Sequence, residues 1–216
     1  MTIRFGTDGW RAVISDTFTF ANLQLVAQAI ADYVLETADT PHPEVVVGFD
    51  TRFLSDRYAA EVARVLAGNN IVAWLTRADA PTPAVSFNVA HRKAAAGVMI
   101  TASHNAPRYN GVKLKAAYGG SASVHQARIV ERCLEENQAR GRGPNMIDYQ
   151  QALERDLIRR FDPAWAYYEH LSHLIDLDKV SAGELRVVAD SMYGSGRGCF
   201  RDMLSRTRTR LTEIRG

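Results

Sequence analysis

Short runs of β-branched residues alternate with longer stretches of helical period along this chain, and that alternation restricts its fold more than any other feature. EVVVGF at 44–49 is apolar after its first residue, as a strand buried on both faces requires. NIVAWLT at 70–76 and AAGVMI at 95–100 read the same way, while GVKLK at 111–115 alternates like a strand edge. Between them, Leu23, Val26, Ala27, Ile30 and Val34 recur at helical spacing within 19–37. A second helix has Ser55 as its N-cap, Tyr58, Val62, Val65 and Leu66 on its apolar face, and Gly68 as its stop. Pro81-Thr82-Pro83 predicts a third, capped by Thr82 with Pro83 at the first helical position, running to about His91. Strands alternating with helices in this way predict an α/β/α layered domain on a mixed, mostly parallel sheet.

The two ends of the chain are less regular. Ile3 to Phe5 is a short apolar start, followed by the turn-forming Gly6-Thr7-Asp8-Gly9. Helices are predicted over 122–139 and 147–161, parted by Gly141-Arg142-Gly143-Pro144, and again over 164–175. The polar segment DLDKVSAG at 176–183 reads as a linker. LRVVAD at 185–190 then opens a new strand, and a glycine-rich turn leads into a last helix at 196–206. The expected organisation is one domain over 1–180 and the beginning of a second, similar domain over 181–216.

Bulk properties exclude several function classes. Hydrophobic residues make up 46% of the 216, enough to build a core, and the net charge of +2 argues against a dedicated nucleic-acid binder. The Arg-rich tail reads as the solvated face of an interrupted domain, with Met203 and Leu204 lacking anything downstream to pack against. Cys133 and Cys199 match no metal-ligand spacing and read as reduced thiols. No apolar run approaches the ~18 residues a membrane span needs, and MTIRFGTDGWR lacks the apolar stretch of a secretory signal. A soluble, cytoplasmic protein without a membrane or nucleic-acid partner is expected; the oligomeric state is not legible.

The chemistry concentrates where AAGVMI runs into Thr101-Ala102-Ser103-His104-Asn105. Ligands of open α/β sheets bind at the carboxyl ends of strands, where loops present polar groups. A Ser-His pair suggests a hydrolase, but neighbours in an extended segment point to opposite faces, and the G-x-S-x-G elbow is missing. The glycines at 194, 196 and 198 fail the dinucleotide fingerprint, whose last place is Cys199.

ITASHNAPRYNGVKLK resembles the phosphoserine loop of the α-D-phosphohexomutase family, and FGTDGWRA, GFDTR and PTPA follow that family's motifs in order. VVADSMYGSGRG is similar to the start of its second domain. The resemblance implies that Ser103 carries a transferable phosphoryl group, with His104 and Asn105 lining the site beside it. It implies that Arg11 and Lys113 surround the transferring phosphate, while Asp50, Arg52 and Thr82 support the loop. Spacing alone reads Lys113 as a solvated strand-edge lysine and Arg11 as half of a surface ion pair. Phosphoryl transfer needs positioning and cations more than covalent chemistry, so those roles are physically consistent.

The activity implied is interconversion of glucose or mannose 1-phosphate and 6-phosphate through a bound hexose 1,6-bisphosphate. Mg²⁺ is implied too, bridging a phosphoserine oxygen on Ser103 and protein carboxylates. The family's DGDxDR metal loop is absent from this sequence, as are its later sugar-recognition loop and C-terminal phosphate-binding domain. Ala12 stands where Gly is usual, and Ala106 where Pro follows HN. The chain is therefore expected to be an N-terminal portion of a mutase, inactive alone; the alternative is a non-catalytic phosphoprotein or assembly partner.

Overall fold

The computed structural model describes residues 3–5 and 9–216. The turn at 6–9 therefore lies, except for Gly9, outside the described residues. The chain divides into two compact units, ending at Phe161 and beginning at Asp162, where the sequence placed the division after Val180.

In the first unit the elements are β1 (Trp10–Val13), α1 (Phe20–Thr37), β2 (Glu44–Phe49), α2 (Ser55–Gly68), β3 (Val72–Thr76), α3 (Thr82–His91), β4 (Ala96–Ile100), β5 (Tyr109–Ala116), α4 (Val124–Ala139), α5 (Tyr149–Glu154) and β6 (Ile158–Phe161). Six of these are strands of one sheet in the order β1-β5-β4-β2-β3-β6. β4, β2, β3 and β6 run parallel, and β5 runs antiparallel to both β4 and β1. The layered, mixed and mostly parallel α/β fold expected from the alternation is thus present.

Each face of the sheet has its own core. Val45, Val47, Ala96, Val98, Ile100, Val112 and Leu114 pack with α1, α2 and α4, whose Leu23, Val26, Ile30, Val62, Leu66 and Val130 are fully buried. Burying an aliphatic side chain of this kind contributes about 1.5–3 kcal/mol. On the other face, Val46 and Met99 pack with Val85 and Val89 of α3. A strand of period two enclosed on both sides has no room for polar alternation, which is why β2 and β4 read as continuous apolar runs.

Several local expectations need correction. Ser55 is the first residue of α2 and not its cap; Leu54 holds the cap position at φ 61°, and the Ser55 hydroxyl donates to Asp50 instead. Helix α3 starts at Thr82 after Pro81, with no side-chain cap. β5 is not an edge: it lies between β4 and β1, and Lys113 and Lys115 are buried at 8% and 7% exposure. The helix expected over 147–161 stops at Glu154, because Asp156 takes φ 56° and turns the chain into β6 beside β3.

The second unit contains α6 (Ala164–Leu174), α7 (Leu177–Ala182), β7 (Arg186–Asp190), α8 (Cys199–Leu204) and β8 (Arg210–Ile214). The segment read as a linker contains α7, capped by the Asp176 carboxylate accepting from the Lys179 N–H at 3.0 Å. The Arg-rich tail is no helical face: α8 ends at Leu204, and RLTEI forms β8, parallel to β7 and in contact with α8. Met203 and Leu204 are accordingly half-buried.

Candidate active site

Parallel strands β2 and β4 end side by side, Phe49 opposite Ile100, so the loops at 50–54 and 101–108 leave the same sheet edge together. Antiparallel β5 begins at that edge, and β1 finishes there with Arg11 opposite Gly111. Four elements thus meet at the loop that carries Ser103.

Ser103 sits at the tip of the 101–108 loop with an exposed side chain and φ 54°. A non-glycine residue in the left-handed region is uncommon and persists where the surroundings fix it. Here the Ser103 N–H donates to Thr101 Oγ1 at 2.9 Å, and the Asn105 N–H to the Ala102 carbonyl at 3.0 Å. This tight turn leaves Ser103 exposed with its backbone N–H engaged.

Arg52 grips the loop from the neighbouring strand end. Its Nη2 donates to the Ser103 and Asn105 carbonyls at 2.8 and 2.6 Å, and its Nη1 to those of Ala106 and Tyr109 at 3.0 Å each. The guanidinium itself is tied back by Asp50, whose Oδ2 lies 3.4 Å from Nε. Asp50 Oδ1 accepts from the Arg52 N–H at 3.0 Å and from Ser55 Oγ at 2.9 Å. Ser55 Oγ in turn accepts from buried Asn110 Nδ2 at 2.9 Å, and Asn110 Oδ1 accepts from the Gly111 N–H at 2.8 Å. One polar network therefore joins the end of β2, the start of α2 and both arms of the serine loop.

Arg11 and Asn105 are in direct contact, Arg11 Nη1 donating to Asn105 Oδ1 at 2.9 Å. Gly111 makes room for this arginine: a Cβ there would lie 2.7 Å from the Thr101 and Trp10 carbonyl oxygens and 2.9 Å from Arg11 Cγ. Lys113 lies two residues further along β5, opposite Met99. Val112 and Leu114 belong to the core of α1, α2 and α4, so alternation turns Lys113 to the α3 face. Trp10 and Ala12 fall in that same core, which puts Arg11 on the Lys113 side of the sheet. His104 is exposed beside Ser103.

The structure thus brings Ser103, Asn105 and Arg11 into one loop cluster, with Lys113 in the adjoining strand. Of the three residues that the resemblance gives as loop support, Arg52 contacts the loop, Asp50 reaches it only by holding Arg52, and Thr82 begins α3. Ser55 and Asn110 were not singled out for the site; their only sequence signal was ordinary cap and turn chemistry.

Mg²⁺ takes oxygen ligands in octahedral geometry. Among the described residues, those around Ser103 include Asn105, His104 and the cations Arg11 and Arg52, and the Asp50 carboxylate is engaged by Arg52 and Ser55. Among the described residues, no group of three or more His, Cys, Asp or Glu is placed to hold an ion. The described donor set does not form a magnesium shell.

Residues 2–141 match the profile of phosphoglucomutase/phosphomannomutase, alpha/beta/alpha domain I. The chain belongs to the phosphoglucomutase/phosphomannomutase family. It is 40% identical over 214 residues to a phosphoglucomutase of Staphylococcus saprophyticus, covering 94% of this chain and 37% of that protein. A phosphoglucomutase of Staphylococcus aureus (strain MRSA252) is 31% identical over 202 residues, covering 89% and 35%. The crystal structure of a Thermus thermophilus protein described as a phosphomannomutase superposes with a TM-score of 0.84 at 35% identity, covering 99% of this chain and 46% of that one. The open form of pp63/parafusin from Paramecium shares the fold, with a TM-score of 0.80 at 17% identity. The chain spans little more than a third of the length of the curated relatives it matches.

Proposed function

We propose that this chain carries the phosphoryl-bearing part of a phosphohexomutase, with Ser103 as the carrier. The observation that carries the reading is the loop itself: an exposed serine hydroxyl at the end of β4, its backbone fixed at φ 54°, with Arg11 joined to Asn105 two residues away. Such a hydroxyl is presented to a ligand, and the cation beside it suits the charge on a transferring phosphoryl group.

In this reading, phospho-Ser103 meets a hexose 1-phosphate or 6-phosphate. The bond from phosphorus to Ser103 Oγ breaks as a bond to the free sugar hydroxyl forms, and the proton of that hydroxyl passes to Ser103 Oγ, which leaves as the free serine hydroxyl. The product is a hexose 1,6-bisphosphate. Returning its other phosphoryl group to Ser103 Oγ restores the phosphoserine and leaves the isomeric monophosphate. Arg11 and Lys113 stabilise charge on the phosphoryl oxygens, and His104 and Asn105 border the sugar. Glucose and mannose phosphates are the substrate class suggested by the names of the relatives. Mg²⁺ belongs to the reading as a partner of the phosphoserine, completed by ligands other than those described here. Cytoplasmic residence is also part of it, consistent with two free cysteines.

The test is phosphoryl acceptance. Incubated with glucose 1,6-bisphosphate and Mg²⁺, the protein should gain one phosphoryl group, mapped to Ser103 by peptide mass spectrometry. Ser103→Ala should gain none. Equal labelling of wild type and Ser103→Ala, or labelling at another residue, would sink the assignment.

A further inference from the structure

We infer that Arg52 is the positioning residue of the phosphoserine loop, setting the backbone from which Ser103 is presented without itself binding the phosphoryl group. The inference deepens the reading of Ser103 as carrier and rests on it for its kinetic consequence, though not for its structural one.

The guanidinium's hydrogens are already committed. Nη1 and Nη2 reach four carbonyl oxygens, those of Ser103, Asn105, Ala106 and Tyr109. Nε faces the Asp50 carboxylate. Arginine has five N–H donors in one plane and no acceptor; four carbonyls and one carboxylate leave it nothing to offer a phosphate. Its side chain is 13% exposed. Arg11, by contrast, engages the loop through the Asn105 side chain and is anchored on β1. The two arginines therefore contact the loop differently: Arg52 through four backbone carbonyls, Arg11 through the Asn105 side chain.

The four carbonyls are also the right ones to hold. A loop that reverses direction brings several carbonyl oxygens together, and here one charged donor pairs four of them, two in part-buried and two in exposed surroundings. A single planar, charged donor spanning 103–109 fixes the relative position of both arms of the turn at once. The positive φ of Ser103 lies inside that span, so the clamp offsets an unfavourable backbone conformation. A lysine keeps the charge but has three donors on one point, so it cannot span the two arms. Asp50, Ser55 and Asn110 complete the frame by orienting the guanidinium from behind.

The experiment uses the whole chain and two readouts. Amide exchange over 101–110 reports loop order without any phosphoryl donor. The initial rate of phosphoryl acceptance from glucose 1,6-bisphosphate, measured as a function of donor concentration, reports presentation of Ser103. Arg52→Lys should speed loop exchange by roughly tenfold or more, the factor that one charge-assisted hydrogen bond represents. It should slow the maximal rate of acceptance by about a hundredfold, as misplacement of a reacting atom by an ångström does. Half-saturation should change less than the maximal rate. In Arg52→Gly, added ethylguanidinium should restore part of both readouts and ethylammonium should not.

Wild-type loop protection and acceptance in Arg52→Lys would overturn the inference, as would a purely half-saturation effect. If Arg52→Lys loses its fold, Ser55→Ala, which loosens Asp50 and leaves the guanidinium intact, should show the same two changes in smaller degree; no change there overturns it equally. A wild type that accepts no phosphate at Ser103 refutes the carrier reading, whereas unchanged loop exchange in the variants refutes the clamp.

Discussion

At the scale of single residues, the site depends on space as much as on charge. Gly111 is the clearest case, since a Cβ at that position meets the backbone oxygens of Trp10 in β1 and of Thr101 just past β4, and Arg11 itself. Backbone cannot yield as a flexible side chain does, so Gly111→Ala should destabilise the protein by about 1–3 kcal/mol. Chemical denaturation would show it as a lower midpoint with an unchanged slope. Arg11→Met makes a different statement, because Arg11 reaches the loop at the Asn105 side chain. It should cut the rate of phosphoryl acceptance by roughly a hundredfold, the usual effect of removing one donor from a developing oxyanion. Loop exchange over 101–110 should stay near wild type in Arg11→Met; a loosened loop would mean that Arg11 too is a structural clamp. Ser103 was legible in the sequence because its neighbours place it at a strand end. The grip of Arg52 was only half legible, since its partners are backbone carbonyls, which carry no residue-specific signal and converge only once the loop has folded.

At the scale of elements, the sequence was clearest where burial is most complete. β2 and β4 are enclosed on both faces, and their apolar runs announced them; α1 and α2 showed their periods. β6 escaped notice because IRRF is half charged, with Arg159 paired to Glu44 and Asp156 at its exposed side. β5 was misplaced at an edge because its lysines suggested solvent, whereas the fold buries them under α3. β8 was hidden by the arginines around it, of which only Arg210 belongs to the strand, at an exposed position. The last two strands also titrate in a distinctive way. The Asp190 carboxyl is held below the ordinary carboxylate range by the Arg215 guanidinium and by the Met192 N–H. The Gly198 N–H and the Ser191 hydroxyl likewise hold Glu213 down. A depressed carboxylate stabilises the folded form fully above its unfolded value and loses that contribution as pH falls through its folded value. Amides of 190–198 should therefore be equally protected at neutral pH and about pH 5, and lose protection as pH drops below roughly 4, the unfolded carboxylate range. Protection that fell instead between pH 7 and about 5 would point to a group other than these two.

At the scale of the whole molecule, the two units differ in how much they can hold up alone. The first has helices on both faces of its six-stranded sheet, with continuous buried clusters on each. The second has a two-stranded parallel sheet, and its helices α6, α7 and α8 contain no buried residue. Trp165, Leu174, Val188, Met192 and Phe200 are exposed there. Parallel strands ordinarily lie covered on both faces, and a pair of strands without a packed layer is marginal in water. These facts predict unequal cooperativity. A chain ended after Phe161 should unfold in a single transition, with its midpoint within a few degrees of the main transition of the full chain. Residues 162–216 alone should show no cooperative melting and little exchange protection, as expected for so short a segment with so little buried area. A core variant such as Ile30→Ala, costing about 2–5 kcal/mol, should lower the main transition equally in the full and shortened chains. If shortening the chain instead lowered that transition by far more than a few degrees, the first unit would depend on the second for its stability. The serine loop would then need both units, although the hydrogen bonds described above as holding it come from residues 11–111.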